Sequence, residues 1–243
     1  MTSIDWTHLR AELALWKDHN LQLPLWWRDD DAITCTPQLD RLERSSRDAG
    51  VQVHLAVIPA HADETLVDYV RNTSAFRPVV HGWAHVNHAP DGQKSSEFGT
   101  PRSDALHEAE LGMTRLQDMF GALLEPMFVP PWNRIDPSVI NGLSELGYTQ
   151  LSTYGPRSHV QAAPGLAQLN THIDPVDWKG TRGLANPELL ITKLVDHLIA
   201  RRNGDADNAE PLGLLTHHLM QDEPTWAFCE SLLSELKPVA KTN

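Results

Sequence analysis

Residues 23–31 read LPLWWRDDD, an apolar run that meets one arginine and three consecutive aspartates with nothing in between. Leu23 to Trp27, rich in Leu and Trp, predicts a buried strand. Three adjacent carboxylates repel one another, and beside a Trp-rich strand they need a cation or hydrogen-bond donors to stay charged. A bound metal satisfies that need. A turn or N-capping cluster ahead of the helix announced by Thr36-Pro37 is the alternative.

Working outward, similar apolar runs occur at Val51–Ile58, Pro78–Val80, Met127–Val129, around Tyr148–Ser152, Leu166–Asn170 and Leu212–Thr216. Between them lie amphipathic segments with helix punctuation. Thr36-Pro37 opens one that Gly50 closes, Asp136-Pro137 opens one that Gly147 closes, and Asn186-Pro187 opens a third. A capping residue followed by proline suits a helix start, because the N–H that proline lacks would be unpaired there. Asp5–His19 reads as a leading helix. Some seven alternations of strand and helix predict an α/β fold with a mostly parallel sheet, either closed as a barrel or open and doubly wound.

The titratable clusters follow the predicted strands at their C-terminal ends, the edge where parallel α/β folds bind ligands. LPLWW runs into Arg28 and the aspartates, RPVV into His81, MFV into Pro130-Pro131-Trp132-Asn133, AQLN into His172 and Asp174, and GLLT into His217-His218. His81 and His85 are four residues apart, so two imidazoles can converge within one turn. With one aspartate they make a three-ligand N/O site with an open position, the mark of a catalytic divalent metal. Zinc is favoured by the imidazoles, with manganese, iron, cobalt or nickel as alternatives. His217 or His218 is a natural proton donor near neutral pH. Ala89–Arg102 fits neither element and is read as an active-site loop or a plain surface loop. Arg201–Glu210 is read as a surface loop.

The bulk numbers narrow the partners. A chain of 243 residues, 41% hydrophobic, can bury one core, and a single domain over residues 1–243 is expected, with residues 1–20 as its leading helix. With 32 acidic against 20 basic residues the formal charge is -12, which disfavours nucleic acid and anionic membranes. Two cysteines, Cys35 and Cys229, are too few for a disulfide-stapled fold and are read as buried or inert. The first 20 residues lack the apolar core of a secretory signal, so a cytoplasmic location is expected.

The order of these clusters, over about Leu23–Asp222, resembles the polysaccharide-deacetylase superfamily, the NodB-homology group of carbohydrate esterases. The resemblance implies a distorted (β/α) barrel with about seven parallel strands, and metal-dependent hydrolysis of an acyl group, N-acetyl above all, from a carbohydrate or other small acylated substrate. It implies Asp30 as general base, with Asp31, His81 and His85 as metal ligands. It also implies His217 as general acid and the backbone N–H of Trp132 as oxyanion donor. The fourth motif falls on Asp174-Pro175-Val176-Asp177-Trp178, and its acid, taken as Asp177, joins the catalytic group. Asn133, Trp178, His88 and Arg134 are the expected substrate contacts.

Three departures from the pattern stand out, one of them being that His218 competes with His217 and that His88 is absent from the usual motif. Val129 replaces the arginine that opens the third motif and orients the catalytic aspartate, with Arg28 or Arg134 as substitutes. Ala32 replaces the glycine after the aspartate pair, and the pair itself could lie one place earlier, at Asp29 and Asp30. Hydrolysis of a different amide, as in the metal-free allantoinase-like relatives, is a second function, against which the intact Asp31, His81 and His85 argue. A non-catalytic carbohydrate-binding protein on the same scaffold is a third.

Overall fold

The computed structural model describes residues 4–241; the outermost three residues at the start of the expected domain and its last two lie outside them. The first strand, β1 (Leu23–Ala32), is longer than its apolar run predicts, because it continues through all three aspartates. Pairing on both sides makes this possible: β1 lies between β2 (Val53–Val57) and β8 (Leu212–Thr216), both parallel to it. Its interior position satisfies the backbone, while alternate side chains face opposite sides of the sheet. Trp27 is fully buried, a contribution of about 2–3 kcal/mol on burial alone.

β3 (Phe76–His81), β4 (Met127–Val129), β5 (Gln150–Leu151) and β7 (Leu166–Gln168) extend the parallel sheet on the far side of β2. Two short strands were not expected. β6 (Gln161–Ala163) pairs antiparallel with β7, and β9 (Ala240–Lys241) pairs parallel with the start of β1. The spatial order is β6-β7-β5-β4-β3-β2-β1-β8. These strands do not close into a continuous ladder. After β7 the chain crosses to β8, where His172 and Ile173 donate to Gly213 O at 2.7 and 3.1 Å and Leu215 N donates to Ile173 O at 2.8 Å. One bridge, Ile173 to Leu214, thus joins the two ends of the sheet.

The helices sit where punctuation placed them. α1 (Thr7–Asp18) leads, and α2 (Pro37–Ala49) is capped by Thr36, whose side chain accepts from Leu39 N, and stopped by left-handed Gly50. α3 (Glu64–Arg71) and α4 (Ala105–Phe120) flank β3 in sequence. α5 (Pro137–Leu143) passes into a 3-10 turn that ends at Gly147. α6 (Pro187–Asn203) follows β7, and α7 (Glu223–Leu236) follows β8. None of the described helices is long and apolar enough to cross a membrane.

One expectation is corrected. Arg201–Glu210 is not a plain surface loop: α6 runs into it, and Arg201 and Glu210 are both buried, joined by Arg201 Nη1 donating to Glu210 O at 2.5 Å. Cys35 is exposed, and partial desolvation with the carboxylates of Asp40 and Asp63 raises its thiol pKa. Cys229 is buried in the core, which raises its thiol much further.

Candidate active site

Each of the three aspartates has a different partner, because the strand carrying them alternates and then breaks step. Arg28 and Asp30, two residues apart, share one side of β1. Arg28 Nε donates to Asp30 Oδ1 at 2.8 Å and Nη2 to Oδ2 at 3.0 Å, with both side chains almost wholly buried. The remaining guanidinium hydrogens are used as well: Nη1 donates to Ser152 Oγ at 2.7 Å and Nη2 to Asn133 Oδ1 at 2.7 Å. A buried ion pair needs this kind of saturation, since either charge alone would be heavily penalised. Val129, at the place where an arginine is expected, packs instead with Trp26, Ala56, Val79 and Met127.

Asp29 faces the other way. Its carboxylate accepts from Thr216 Oγ1 at 2.5 Å, from His218 N at 3.0 Å and from the His218 ring at Nδ1, 2.5 Å away. Trp27 Nε1 donates to the same threonine at 2.7 Å. Burial would lower the basicity of His218, but the charge and hydrogen bond of Asp29 more than offset it, so its pKa is raised. His218 is therefore locked to Asp29 inside the protein.

Between Asp29 and Ala32 the register of β1 against β2 slips by one residue, and Asp31 takes a left-handed φ of 74°. The bulge re-aims the Asp31 side chain. Its Oδ1 meets His81 Nε2 at 3.2 Å and His85 Nε2 at 3.4 Å. One donor atom from each of these three residues lies within 4.8 Å of the others.

A divalent metal fits this trio. Val129 O lies 3.0 Å from His81 Nδ1, and a carbonyl can only accept, so Nδ1 carries hydrogen. In the neutral ring, Nε2 then presents a lone pair to a carboxylate oxygen, two acceptors face to face. A cation between them, or a second proton on the imidazole, resolves the conflict. Burial would raise the Asp31 pKa, but the hydrogen bond from His81 and the charges of His81, His217 and His85 hold it well below the ordinary carboxylate value. At His81, burial is outweighed by Asp30 and Asp31 and the pKa is raised; at His85, burial and the charge of His81 lower it.

The loop carrying His85 is held by a residue that sequence reading did not single out. Glu97, buried, accepts from Ala84 N at 2.8 Å, Trp83 N at 3.2 Å and Val86 N at 3.4 Å. Glu97 comes from Ala89–Arg102, so that segment acts as part of the site and is more than surface. Nothing in the spacing distinguishes this acid from any other loop glutamate. Gly82 makes the close approach possible: at φ 56°, a Cβ there would stand 2.2 Å from Glu97 Oε2 and 2.5 Å from Pro131 Cδ.

Of the six non-glycine residues with positive φ among the described residues, Asp31, His85, Trp132 and Asn133 belong to this site. Such backbone costs about 1–3 kcal/mol per residue and persists where the surroundings over-determine it. The Trp132 ring packs on His85 with centroids 4.2 Å apart.

The other expected residues fall less uniformly. His217 is nearly buried, and its ring meets Trp178 edge-on, centroids 4.7 Å apart. The acid near His217 is Asp174, whose carboxylate accepts from Trp178 Nε1 at 2.7 Å and Val176 N at 3.0 Å. Burial raises the Asp174 pKa, opposed by His217 and reinforced by Asp30. Asp177 instead closes a turn, accepting from Gly180 N and Thr181 N, both at 3.1 Å. Asn133 turns its side-chain oxygen to Arg28, and Arg134 donates to Ser95 O at 2.6 Å, pinning the loop. His88 is exposed on that loop, outside the three-ligand cluster.

The sequence matches no family model and no curated protein. Solved structures do resemble it. A Mycobacterium smegmatis protein described as a polysaccharide deacetylase aligns with a TM-score of 0.60 at 16% identity, over 84% of this chain and 73% of its own. A deacetylase determined with substrate aligns at 0.52 and 15% identity, over 91% and 87%. A family 4 carbohydrate esterase from Streptomyces lividans, in complex with acetate, aligns at 0.52 and 13% identity, over 89% and 88%. With the strand order and its mostly parallel pairing, these likenesses show that the chain has the fold of the polysaccharide deacetylases and family 4 carbohydrate esterases.

Proposed function

We propose that the chain is a divalent-metal-dependent hydrolase that removes an acyl group, N-acetyl in the first place, from a carbohydrate. The observation that carries this reading is the convergence of Asp31, His81 and His85 beside the buried Arg28–Asp30 pair. Deacetylases and an esterase among the structural neighbours support it.

Asp31, His81 and His85 hold the metal, which when bound supplies Lewis-acid polarisation of the acyl carbonyl. Zinc suits one carboxylate and two imidazoles, with manganese, iron, cobalt or nickel as alternatives. Asp30 takes the proton of the attacking water at its carboxylate, and Arg28 fixes the orientation of that carboxylate. Trp132 offers its backbone N–H to the developing oxyanion from a strained turn that is set before substrate arrives. His217 returns a proton to the leaving amine, with Asp174 near it and the Trp178 edge setting its ring plane. Arg28 in β1 takes over the orienting task expected of an arginine at position 129.

The test is metal analysis of the purified protein together with acetate release from N-acetylated sugars. About one metal equivalent and turnover lost on replacing Asp30 by asparagine are expected. Less than about a tenth of an equivalent, with no activation by zinc, manganese, cobalt or nickel, would sink the reading.

A further inference from the structure

Asp29 and His218 take no part in the steps proposed above, yet their side chains are in contact and fully buried. Three hydrogen bonds converge on the Asp29 carboxylate, from Thr216 Oγ1 at 2.5 Å, from the His218 backbone N–H at 3.0 Å and from His218 Nδ1 at 2.5 Å. Thr216 and His218 are the two chain neighbours of His217. One carboxylate thus fastens the residue on either side of the proposed general acid.

His217 needs such an anchor. β8 ends at Thr216, the last of its residues to pair with β1, so His217 stands one place beyond the ladder. Its carbonyl accepts from Met220 N at 2.8 Å, where the chain turns away. The imidazole has little support of its own: Nδ1 is buried without a hydrogen-bond partner among the described residues, and Trp178 meets the ring only edge-on. Asp174, near it, directs its carboxylate to Trp178 Nε1 and Val176 N. A ring with no hydrogen bond at that nitrogen takes its place from the backbone that carries it. His218 cannot stand in for it. Its Nδ1 is held by Asp29 and its Nε2 is sealed in the interior without a partner, so neither nitrogen reaches a substrate.

We propose that Asp29 and His218 are positioning residues for proton delivery: the Asp29 carboxylate clamps the backbone of Thr216–His218 so that the His217 ring faces the leaving group before substrate binds. The inference deepens the deacylase reading and rests on it, and it gives the first of the three aspartates a task distinct from base and metal ligand.

The experiment measures kcat and KM for acetate release from N-acetylglucosamine or its oligomers and from p-nitrophenyl acetate, whose leaving group needs no proton. Asp29→Asn turns one accepting oxygen into a donor. Its kcat on the sugar is expected to fall about ten- to a hundredfold with KM and metal content unchanged, while the activated ester is spared. His218→Leu, which fills space without a donor, should behave alike and keeps the test available if Asp29→Asn does not fold. His218→Asn restores a donor at the δ position and should recover most of kcat. Asp29→Asn combined with His217→Ala should be no slower than His217→Ala alone, since the clamp acts only through that ring. Equal losses on sugar and ester, additive losses in the combined variant, or full kcat in Asp29→Asn and His218→Leu overturn the proposal. So does failure of both to fold, which makes the pair a structural one. Should the wild type release no acetate from any of these sugars, the deacylase reading itself fails, and NMR decides the clamp separately. The His217 ring resonance, assigned by its loss in His217→Ala, should shift or broaden in Asp29→Asn and His218→Leu and return in His218→Asn. A resonance identical in all of them overturns the clamp.

Discussion

The Arg28 guanidinium grips the Asp30 carboxylate with two parallel hydrogen bonds, 2.8 and 3.0 Å long, from a position two residues earlier on the same strand. Removing one partner leaves the other charged and buried. Arg28→Ala is expected to cost about 3–5 kcal/mol of stability, measured by denaturant unfolding. Arg28→Lys keeps the charge and loses the fork. It should fold, and its kcat on an N-acetylated sugar should fall about a hundredfold, because the base is no longer held in one orientation. Wild-type kcat in the lysine variant would contradict the orienting role.

The three-ligand site predicts strict dependence on metal. Dialysis against a chelator should abolish turnover and addition of zinc should restore it. His81→Ala combined with His85→Ala should lower both metal content and kcat/KM, the latter by about a thousandfold or more. Undiminished turnover in the double variant would revive the metal-free amidase alternative.

Glu97 holds three backbone N–H groups of the His85 loop. Glu97→Ala should leave those donors unpaired, destabilise the protein by about 2–3 kcal/mol and weaken metal affinity about 10–100-fold. Gly82→Ala attacks the same junction by a steric route, since its Cβ has no room beside Glu97 and Pro131. Metal titration by calorimetry checks both, and unchanged affinity in Glu97→Ala would exclude the supporting role.

If His217 protonates the leaving group, its removal should matter in proportion to how poor that group is. His217→Ala is expected to lower kcat on an N-acetyl sugar by about 10²–10⁴ while sparing an activated ester such as p-nitrophenyl acetate. Equal losses on the two substrates would argue for a structural role.

His197 offers a stability test away from the reaction. Its pKa falls from 6.5 to about 4 on folding, through burial first and then Arg201 and His172. The unfolded chain therefore binds the proton more readily. The neutral ring's contribution is complete above pH 6.5 and is lost as pH falls from 6.5 toward about 4. Partial exposure limits the effect to about 1 kcal/mol. His197→Gln should flatten the pH dependence of unfolding in that window, and an unchanged slope would contradict it.

Much of this architecture could be read along the chain, because it depends on short-range rules. Apolar runs predicted the seven main strands, cap and proline pairs located α2, α5 and α6, and the strand-end rule gathered Asp30, Asp31, His81, His85, Trp132 and His217 at one edge. Strand pleat also carried the Arg28–Asp30 pairing, which becomes visible once β1 is allowed to continue through the acids.

What spacing could not supply is how residues distant in sequence meet. Asp29, Asp30 and Asp31 are chemically identical neighbours, yet one is tied to His218, one to Arg28, and one faces His81 and His85. A one-residue bulge against β2, and side chains delivered by the end of β3, by the turns after β3 and β4, and by the end of β8 and the residues just beyond it, make that division. The same holds for Glu97 under the His85 loop and for Asp174, rather than Asp177, near His217. Local propensity sets backbone direction and side-chain alternation, whereas the partner of a buried charge is chosen by whichever group the packed fold brings within hydrogen-bond reach.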